Sequence, residues 1–306
     1  MADLSAIVLV YNEEKHVARL LANLSRLCKA VYVVDSFSTD ATVEKAEAGG
    51  AIVLKNPFVN YAKQFEWAID NAPVTTEWVM RIDADEVLTD ELVTEIERTL
   101  PGLAADVHGV NLNRRHIFLG RWIRHGGRYP LTLLRIWRRG HARIEQRWMD
   151  EHMTLASGRA ITLHHDFCDH NLNDLTFFTN KHNQYATREA IDQMGMRHGL
   201  FDVSGLDSAA TSRQAAMKRR IKEKLYNRLP IWVGPACYFF FRYFVQLGFL
   251  DGREGLIYHV LQGFWYRFLV AAKVAEFERS LPRESDENRK IMTLSRLTGY
   301  SLEAFR

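Results

Sequence analysis

The chain has 306 residues, a length that suits one large domain or a catalytic core with an appendage. Hydrophobic residues make up 47% of it and charged residues 25%, which excludes a disordered chain and a fibre. The net charge of +3 is too balanced for a protein that coats nucleic acid. Because the three cysteines are scattered and the start shows no signal-peptide pattern, we expect a cytoplasmic protein.

The first hundred residues alternate between strand-like and helix-like patterns. Short apolar runs rich in β-branched residues predict buried strands over 6–11, 31–35, 51–54 and 78–82. Amphipathic periodicity between them predicts helices over 15–24, 40–48 and 61–72. This order predicts an α/β fold with a mostly parallel central sheet flanked by helices. Ligands of such sheets bind beyond the carboxyl ends of the strands, so the residues after each strand are the first candidates for a site.

Two carboxylates separated by one residue follow the fourth predicted strand, at Asp83 and Asp85. Mg²⁺ and Mn²⁺ take few protein carboxylates and complete their coordination with water and substrate phosphates. The pair therefore predicts a metal–diphosphate site. The alternative is that acids after a strand only cap the next helix, a role that fits Asp90 or Glu91.

The ends of the first two predicted strands carry residues suited to a nucleoside. Tyr11 offers a ring on which a nucleobase can stack, and Asp35 offers a carboxylate that can accept hydrogen bonds from a base or ribose. Ser38 and Asp40 also suit helix N-caps, so capping is the alternative for these two residues.

Residues 111–147 carry ten arginines and one acid, Glu145. Arginine is the preferred partner of phosphate oxygens, and no nucleic-acid motif accompanies the charge. We predict an acceptor groove for an anionic glycolipid or glycan, and no nucleic-acid partner. The alternative is a set of scattered, exposed arginines. The candidate acceptor-binding residues are Arg114, Arg115, Arg121, Arg124 and Arg128.

The last third of the chain combines a basic run over 218–228 with an aromatic stretch over 231–250. The stretch is long enough to span a bilayer, but Pro235, Arg242 and Gln246 interrupt it, which argues against a span. Basic residues beside an aromatic helix are typical of a surface that lies on an anionic leaflet. Packing of an aromatic helical subdomain on the catalytic core is the alternative.

Several segments together resemble the family 2 glycosyltransferases with the GT-A fold, in the bacterial branch that builds lipopolysaccharide cores and exopolysaccharides. They are SAIVLVYNEE, VVDSFSTDAT, YAKQFEWAI, WVMRIDADEVL, RRHIFLGRWIRHGGRYP, LLRIWRRGHAR, WMDEHM and ITLHHDF, and the resemblance covers roughly residues 4–190. It implies a catalytic domain over 1–205, with a nucleotide-sugar half to about 110 and an acceptor half over 111–205. Residues 206–306 would form a helical, aromatic-rich extension.

The resemblance also implies roles for single residues. The donor would be held by Tyr11, Asn12, Glu13, Asp35, Gln64, Asp83, Asp85 and Lys181. Mn²⁺ or Mg²⁺ would be bound directly by Asp85, with Asp83 and His164 beside it. Many members carry a second acid directly after the position of Asp35, where this chain has Ser36. For Gln64 and Lys181 the alternative is an ordinary surface side chain, for His164 a structural histidine. The spacings from His164 to His170 match no closed zinc site.

An inverting transfer needs a general base for the acceptor hydroxyl. By resemblance this base is Glu151, with Asp150 as the second candidate; a solvated acidic turn is the alternative. We therefore expect an inverting, metal-dependent glycosyltransferase that uses a nucleotide-diphosphate sugar and a surface-glycan precursor. A peripheral position on the inner face of the cytoplasmic membrane is the alternative to a free cytoplasmic one. One alternative is a nucleotidyltransferase, which usually has a glycine-rich basic loop where this chain has Tyr11-Asn12-Glu13-Glu14. The other is a non-catalytic nucleotide-sugar or glycan-binding protein.

Overall fold

The computed structural model describes residues 2–145, 152–200, 230–282 and 286–302. The chain divides into two compact units, one of Met1–Asn173 with Leu250–Glu254 and one of Asp174–Phe249 with Gly255–Arg306. This division falls at Asn173, and the predicted domain boundary at 205 stays a prediction.

The first unit is built on one mixed β-sheet. Within the described residues, eight strands follow the order β3-β2-β1-β4-β8-β6-β11-β5, and β7 pairs with β6 as a ninth. A separate two-stranded sheet joins β9 and β10. The strands are β1 Leu4–Val10, β2 Ala30–Asp35, β3 Ile52–Lys55, β4 Trp78–Arg81, β5 Glu86–Leu88, β6 Val107–Phe118, β7 Arg121–Ile123, β8 Thr132–Arg138, β9 Ala142–Ile144, β10 Met153–Leu155 and β11 Arg159–His170.

The strand directions bring six strand ends to one edge of the sheet. β3, β2, β1 and β4 are parallel to their neighbours, as their continuous apolar runs predict. β8 is antiparallel to both β4 and β6, and β6 is parallel to β11. The carboxyl ends of β1, β2, β3, β4, β6 and β11 therefore share one edge, and β5 begins there because it is antiparallel to β11.

Helices cover both faces of this sheet. The helices of the first unit are α1 Val17–Leu24, α2 Thr42–Ala48, α3 Tyr61–Asn71 and α4 Asp90–Thr99. α1 and α4 pack with one face of the strands through residues such as Leu20 and Ile96. α3 packs on the other face through Phe65 and Ala68, which lie with Trp137 of β8. These two apolar layers fix the strand ends, and so the edge where ligands of such sheets bind.

The second unit is helical where it is described. Its elements are α5 Leu175–His198, the helix Val233–Phe240, a π-helical turn Phe241–Val245, a second π-helical turn His259–Trp265, and the helices Tyr266–Ser280 and Glu287–Thr298. The 3-10 turn Gly248–Asp251 and the helix Gly252–Tyr258 contain the segment that belongs to the first unit. Within the described ranges, no helix combines the length and apolar character that crossing a bilayer requires.

Candidate functional site

The loops after β1 and β2 are tied together at the sheet edge. The backbone N–H of Asn12 donates to Ser38 Oγ at 2.9 Å, and Asn12 Oδ1 accepts the backbone N–H of Thr39 at 2.8 Å. The next residue repeats the pattern, because the N–H of Glu13 donates to Thr42 Oγ1 at 2.8 Å. Asn12 therefore shapes the site by fixing one loop against the other.

Two aromatic rings stand out from these tied loops. Tyr11 is 57% exposed and Phe37 is 55% exposed. Phe37 has φ +63°, a left-handed backbone conformation that costs a bulky residue about 1–2 kcal/mol. A strained, exposed phenylalanine beside Tyr11 is suited to stacking on a flat ligand. The sequence analysis found Tyr11 but missed Phe37, since neither its φ nor its exposure can be read from local pattern.

We expect Phe37→Gly to weaken binding of nucleoside diphosphates without lowering the melting temperature. Glycine relieves the left-handed strain, whereas loss of the ring removes stacking worth about 1 kcal/mol, or roughly fivefold in Kd. Titration calorimetry and thermal denaturation measure the two effects. Phe37→Tyr keeps the ring and is the matched control. An unchanged Kd in the glycine variant would remove Phe37 from the site.

Asp35 and Gln64 lie inside the protein rather than facing a ligand. Both are 1% exposed. The Asp35 carboxylate accepts the backbone N–H of Ser38 at 3.1 Å. The Gln64 amide donates to Ser36 Oγ at 3.1 Å and accepts from Asn56 Nδ2 at 2.7 Å. These two side chains therefore hold the loops that follow β2 and β3, and their predicted donor contacts stay predictions.

Glu13 and His16 connect the first loop to the segment after β11. Glu13 Oε2 lies 2.6 Å from His16 Nδ1, and His16 Nε2 accepts the backbone N–H of Leu172 at 2.9 Å. Since Nε2 accepts, Nδ1 carries the proton and donates it to Glu13. The guanidinium of Arg19, in α1, donates two further bonds, to the carbonyl oxygens of Asp85 at 3.1 Å and His170 at 2.7 Å. Glu13 thus holds the segment after β11 through His16, and Arg19 holds the chain at Asp85.

Asp85 is the half-buried acid that follows β4 at this edge. Its Oδ2 accepts a hydrogen bond from Asn171 Nδ2 at 2.9 Å, and its carbonyl oxygen accepts the N–H of His170 at 3.0 Å. The backbone is therefore held from two sides, and the amide orients the carboxylate. Asp85 has the position and the chemistry of a divalent-ion ligand.

Asp83 has a different environment, because protein cations surround it. Its Oδ1 accepts from the Tyr61 hydroxyl at 2.6 Å, and its oxygens lie 4.0 Å from Arg81 Nε and 3.7 Å from Arg135 Nη2. Burial alone would raise the pKa of Asp83, but Arg135, Arg81 and the Tyr61 hydroxyl outweigh it and lower the pKa. The carboxylate is ionised and neutralised by arginines, and the predicted role of Asp83 as a metal ligand stays a prediction.

Glu86 completes this charged layer beneath the edge. It is 1% exposed, receives the N–H of Asp83 at 2.9 Å and lies 2.5 Å from Arg135 Nη2. Burial raises the pKa of Glu86 to about 8, Arg135 opposes the shift, and the negative charges of Asp83 and Asp169 add to it. Because a single guanidinium is shared by two carboxylates, one of them is readily protonated.

We expect the free energy of unfolding to fall as pH rises from about 5 to about 8, and Glu86→Gln to flatten that fall. A carboxyl whose folded pKa is raised binds a proton in the folded state that the unfolded state has lost, so stability decreases with pH in this window. One pKa unit of the shift corresponds to about 1.4 kcal/mol. Urea unfolding at pH 5, 6.5 and 8 measures it, and parallel curves for the two proteins would contradict the assignment.

His164 does not reach the acidic pair. It is exposed on β11, and its backbone N–H donates to Glu95 Oε1 of α4 at 3.0 Å. The histidine beside Asp85 is His170, six residues and roughly 20 Å of strand further along. Burial lowers the pKa of His170, and the charge of Arg19 lowers it further. Glu95 of α4 holds the strand at His164, and the predicted approach of His164 to the metal stays a prediction.

The arginines of the segment 111–147 are less unbalanced than their local sequence indicates. Their acidic partners lie outside that segment, so the single acid counted within it understates the negative charge around these arginines in the fold. The described pairs are Arg114–Asp169 at 3.4 Å, Arg115–Asp166 at 2.6 Å, Arg121–Glu254 at 3.9 Å, Arg135–Glu86 at 2.5 Å, Arg143–Asp70 at 3.4 Å and Arg138–Glu77.

Arg114, Arg115 and Arg124 nevertheless occupy the half of the edge formed by β6 and β11. Asp169, the partner of Arg114, also lies 3.0 Å from His116 Nδ1 and is opposite Glu86 in the sheet. Arg115 and the exposed Arg124 lie over the Trp122 ring at 4.8 and 5.3 Å. Acceptor binding by these arginines and Arg128 stays a prediction.

The residues at the edge fit a divalent ion held mainly by its substrate. In the described part of the chain, no three His, Cys, Asp or Glu side chains form a group that could enclose a metal. An ion bound to a diphosphate needs few protein ligands. Asp85 supplies one oriented carboxylate, and Arg81 and Arg135 neutralise the neighbouring acid. The donor set therefore fits Mg²⁺ or Mn²⁺ with Asp85 as the protein ligand.

The roles of Asp150, Glu151 and Lys181 stay predictions as well. Asp150 and Glu151, the candidate bases, lie outside the described residues. Lys181 is on α5 in the second unit, where its ammonium lies 5.8 Å from the rings of Phe177 and Tyr185. Both rings lie four residues from Lys181, the spacing at which side chains meet on one face of a helix.

The mixed α/β sheet with an acidic pair at its edge is that of a GT-A-like glycosyltransferase fold. The profile described as Glycosyl transferase family 2 matches residues 5–171, more than half of the chain. The chain belongs to glycosyl transferase family 2.

Curated relatives share part of this sequence. An uncharacterized glycosyltransferase of Rickettsia felis is 39% identical over 97 residues, which cover 32% of this chain and 34% of the relative. The lipopolysaccharide core biosynthesis glycosyltransferase LpsC of Rhizobium meliloti is 30% identical over 147 residues, which cover 46% of this chain and 53% of LpsC. The match thus spans about a third to a half of the relatives' own lengths.

A solved structure shows a partial likeness. It is glucosyl-3-phosphoglycerate synthase from Mycobacterium tuberculosis in complex with Mn²⁺, uridine-diphosphate and glucosyl-3-phosphoglycerate. The identity is 21% and the TM-score 0.31, with 37% of this chain and 43% of that chain covered.

Proposed function

We propose that this protein is an inverting, metal-dependent glycosyltransferase. It moves a sugar from a nucleotide-diphosphate sugar to a hydroxyl group of a lipopolysaccharide-core, exopolysaccharide or lipid-linked glycan precursor. The observation that carries the proposal is the distinction between the two acids after β4: Asp83 is neutralised by arginines, while Asp85 is oriented by Asn171 at the shared edge. Membership of family 2 supports sugar transfer as the reaction, and the likeness to LpsC supports a lipopolysaccharide-type acceptor.

The donor would lie across the ends of β2, β1 and β4, which are neighbours in the sheet. Tyr11 and Phe37 would contact the nucleobase, and Asn12 and Glu13 hold their loops in place. Asp85 would hold the divalent ion. When bound, that ion offsets the negative charge that develops on the leaving diphosphate. The protein's own part is to orient the Asp85 carboxylate through Asn171 and to hold the Asp85 carbonyl through the Arg19 guanidinium and the backbone N–H of His170.

The acceptor would lie toward β6 and β11. Arg114, Arg115, Arg124 and Arg128 would pair with its phosphates; Arg121, which lies 3.9 Å from Glu254, would contribute at the outer end. Glu151, or else Asp150, would take the proton of the attacking hydroxyl. Lys181 would contact the donor phosphates. Since such precursors are lipid-linked, we place the enzyme at the inner face of the cytoplasmic membrane.

Product analysis tests this function. The protein is incubated with Mn²⁺, a panel of nucleotide-diphosphate sugars and a truncated lipopolysaccharide core, and released nucleoside diphosphate is measured. We expect release from one donor class only when the core is present, and an inverted anomeric coupling constant in the product by NMR. Pyrophosphate release from a nucleoside triphosphate and a sugar phosphate would identify a nucleotidyltransferase. Donor binding without turnover on any tested core would favour a binding protein.

A further inference from the structure

Large apolar side chains are exposed to solvent along the helix Val233–Phe240 and the π-helical segment that follows it. We call the six residues Trp232, Phe240, Phe241, Phe244, Val245 and Phe249 the aromatic surface. Each is between 44% and 59% exposed. Phe240, Phe241, Phe244 and Val245 follow a helical i, i+1, i+4, i+5 pattern, so they share one face. The rings of Phe240 and Phe244 lie 4.9 Å apart.

The polar side chains of the same segment point inward. Arg242 is 3% exposed and donates to Gln262 Oε1 at 3.1 Å and to the Tyr238 hydroxyl at 3.4 Å. The Arg267 guanidinium also lies over the Tyr238 ring at 4.9 Å. His259, next to Tyr243, is 0% exposed. A helix that faces water has the reverse arrangement, with apolar residues inside and charges outside.

We propose that the aromatic surface docks on the headgroup region of an anionic lipid bilayer. Clusters of exposed aromatic residues mark interaction sites, and aromatic side chains are enriched at the boundary between headgroups and acyl chains. Since no described helix could cross a bilayer, the segment would lie in the interface plane.

The charge of the neighbouring sequence favours lipid over a second protein as the occupant. Residues 218–228 contain six lysines and arginines and one glutamate, and they end two residues before Pro230. Each basic residue near an anionic leaflet strengthens binding, whereas a protein interface surrounds its apolar centre with a mixed polar rim. This proposal depends on the proposed function in one respect: a lipid-linked acceptor would give the enzyme a reason to bind a membrane.

Vesicle sedimentation of the full chain tests the proposal. We expect binding to phosphatidylcholine vesicles that contain 30% phosphatidylglycerol, and at least tenfold weaker binding to phosphatidylcholine alone. The double variant Phe240→Ser/Phe244→Ser should lose at least tenfold in the partition coefficient. The control Met292→Ser/Leu297→Ser removes two exposed apolar side chains elsewhere in the same unit and should bind as the wild type does. Equal binding to both vesicle types, or by both double variants, would overturn the proposal.

A spectroscopic probe makes the test independent of how the variants fold. Cys237 is exposed, one turn before Phe241, and Cys28 is buried. A fluorophore on Cys237 in a Cys168→Ser background should be quenched by lipids brominated near the headgroup; a probe that stays unquenched would count against docking.

A wild-type dimer that the Phe240→Ser/Phe244→Ser variant dissociates would instead identify a contact between two copies. Transfer to a soluble, deacylated core should be unchanged in that variant, which separates failure of docking from failure of the proposed function.

Discussion

Asp85→Ala is expected to abolish the metal-dependent binding of nucleoside diphosphates while the fold stays intact. The side chain is half-buried, and its carboxylate is oriented by Asn171. Loss of the ligand would remove the ion that offsets charge on the diphosphate, an effect of several kcal/mol, so we expect kcat/KM to fall by roughly 10³-fold. Thermal shift with a nucleoside diphosphate, with and without Mn²⁺, measures binding without an acceptor, because a ligand of the native state raises its stability.

Two other variants make this result specific. Asp90→Ala removes the same charge from the exposed start of α4, where Asp90 pairs with Arg26 at 2.6 Å, and should leave the Mn²⁺-dependent shift unchanged. Asp83→Asn should lower the melting temperature through the loss of its bonds to Tyr61 and the arginines, but keep the dependence on Mn²⁺. If Asp85→Ala still shows a Mn²⁺-dependent shift and Asp83→Asn does not, the two acids have the opposite roles.

Local sequence was enough to predict the parallel part of the sheet. The predicted strands over 31–35 and 78–82 differ from β2 and β4 by one residue at one end. The reason is physical: strands that are buried on both faces are continuous apolar runs, and the helices between them show a different period. The succession of β1 to β4 along the chain and their parallel arrangement could therefore be predicted without long-range information.

The roles within the site could not be predicted in the same way. Asp83 and Asp85 have the same residue type, and only Tyr61 from α3 and Arg135 from β8 distinguish their environments. Likewise, Arg115 pairs with Asp166, which is 51 residues away in the sequence. Charge counted within a window of sequence cannot include partners that a sheet brings together. The same long-range pairing of β11 places His170, rather than His164, beside Asp85.

The largest expected effect on stability is that of Arg135→Met. Arg135 is buried over the Phe167 ring, with Glu86 at 2.5 Å and Asp83 at 3.7 Å. Methionine leaves these two carboxylates without their shared cation. Breaking a buried pair in this way costs about 3–5 kcal/mol, much more than the loss of an exposed arginine. Arg139→Met, on an exposed residue that follows the same strand, is the matched control; its side chain donates to the Thr76 carbonyl at 3.2 Å.

The pH dependence of this loss separates charge from packing. Without Arg135 the raised pKa of Glu86 rises further and the lowered pKa of Asp83 loses its main cause, so the variant gains protons on folding and recovers stability as pH falls toward 5. Adding Glu86→Gln removes one of the two carboxylates and should restore part of the loss at pH 8, which makes the double variant non-additive. Urea unfolding of the four proteins of this cycle at pH 5 and 8 gives the coupling energy. A loss that is equal at both pH values and additive with Glu86→Gln would mean that Arg135 stabilises the strand ends by packing on Phe167, not by its charge.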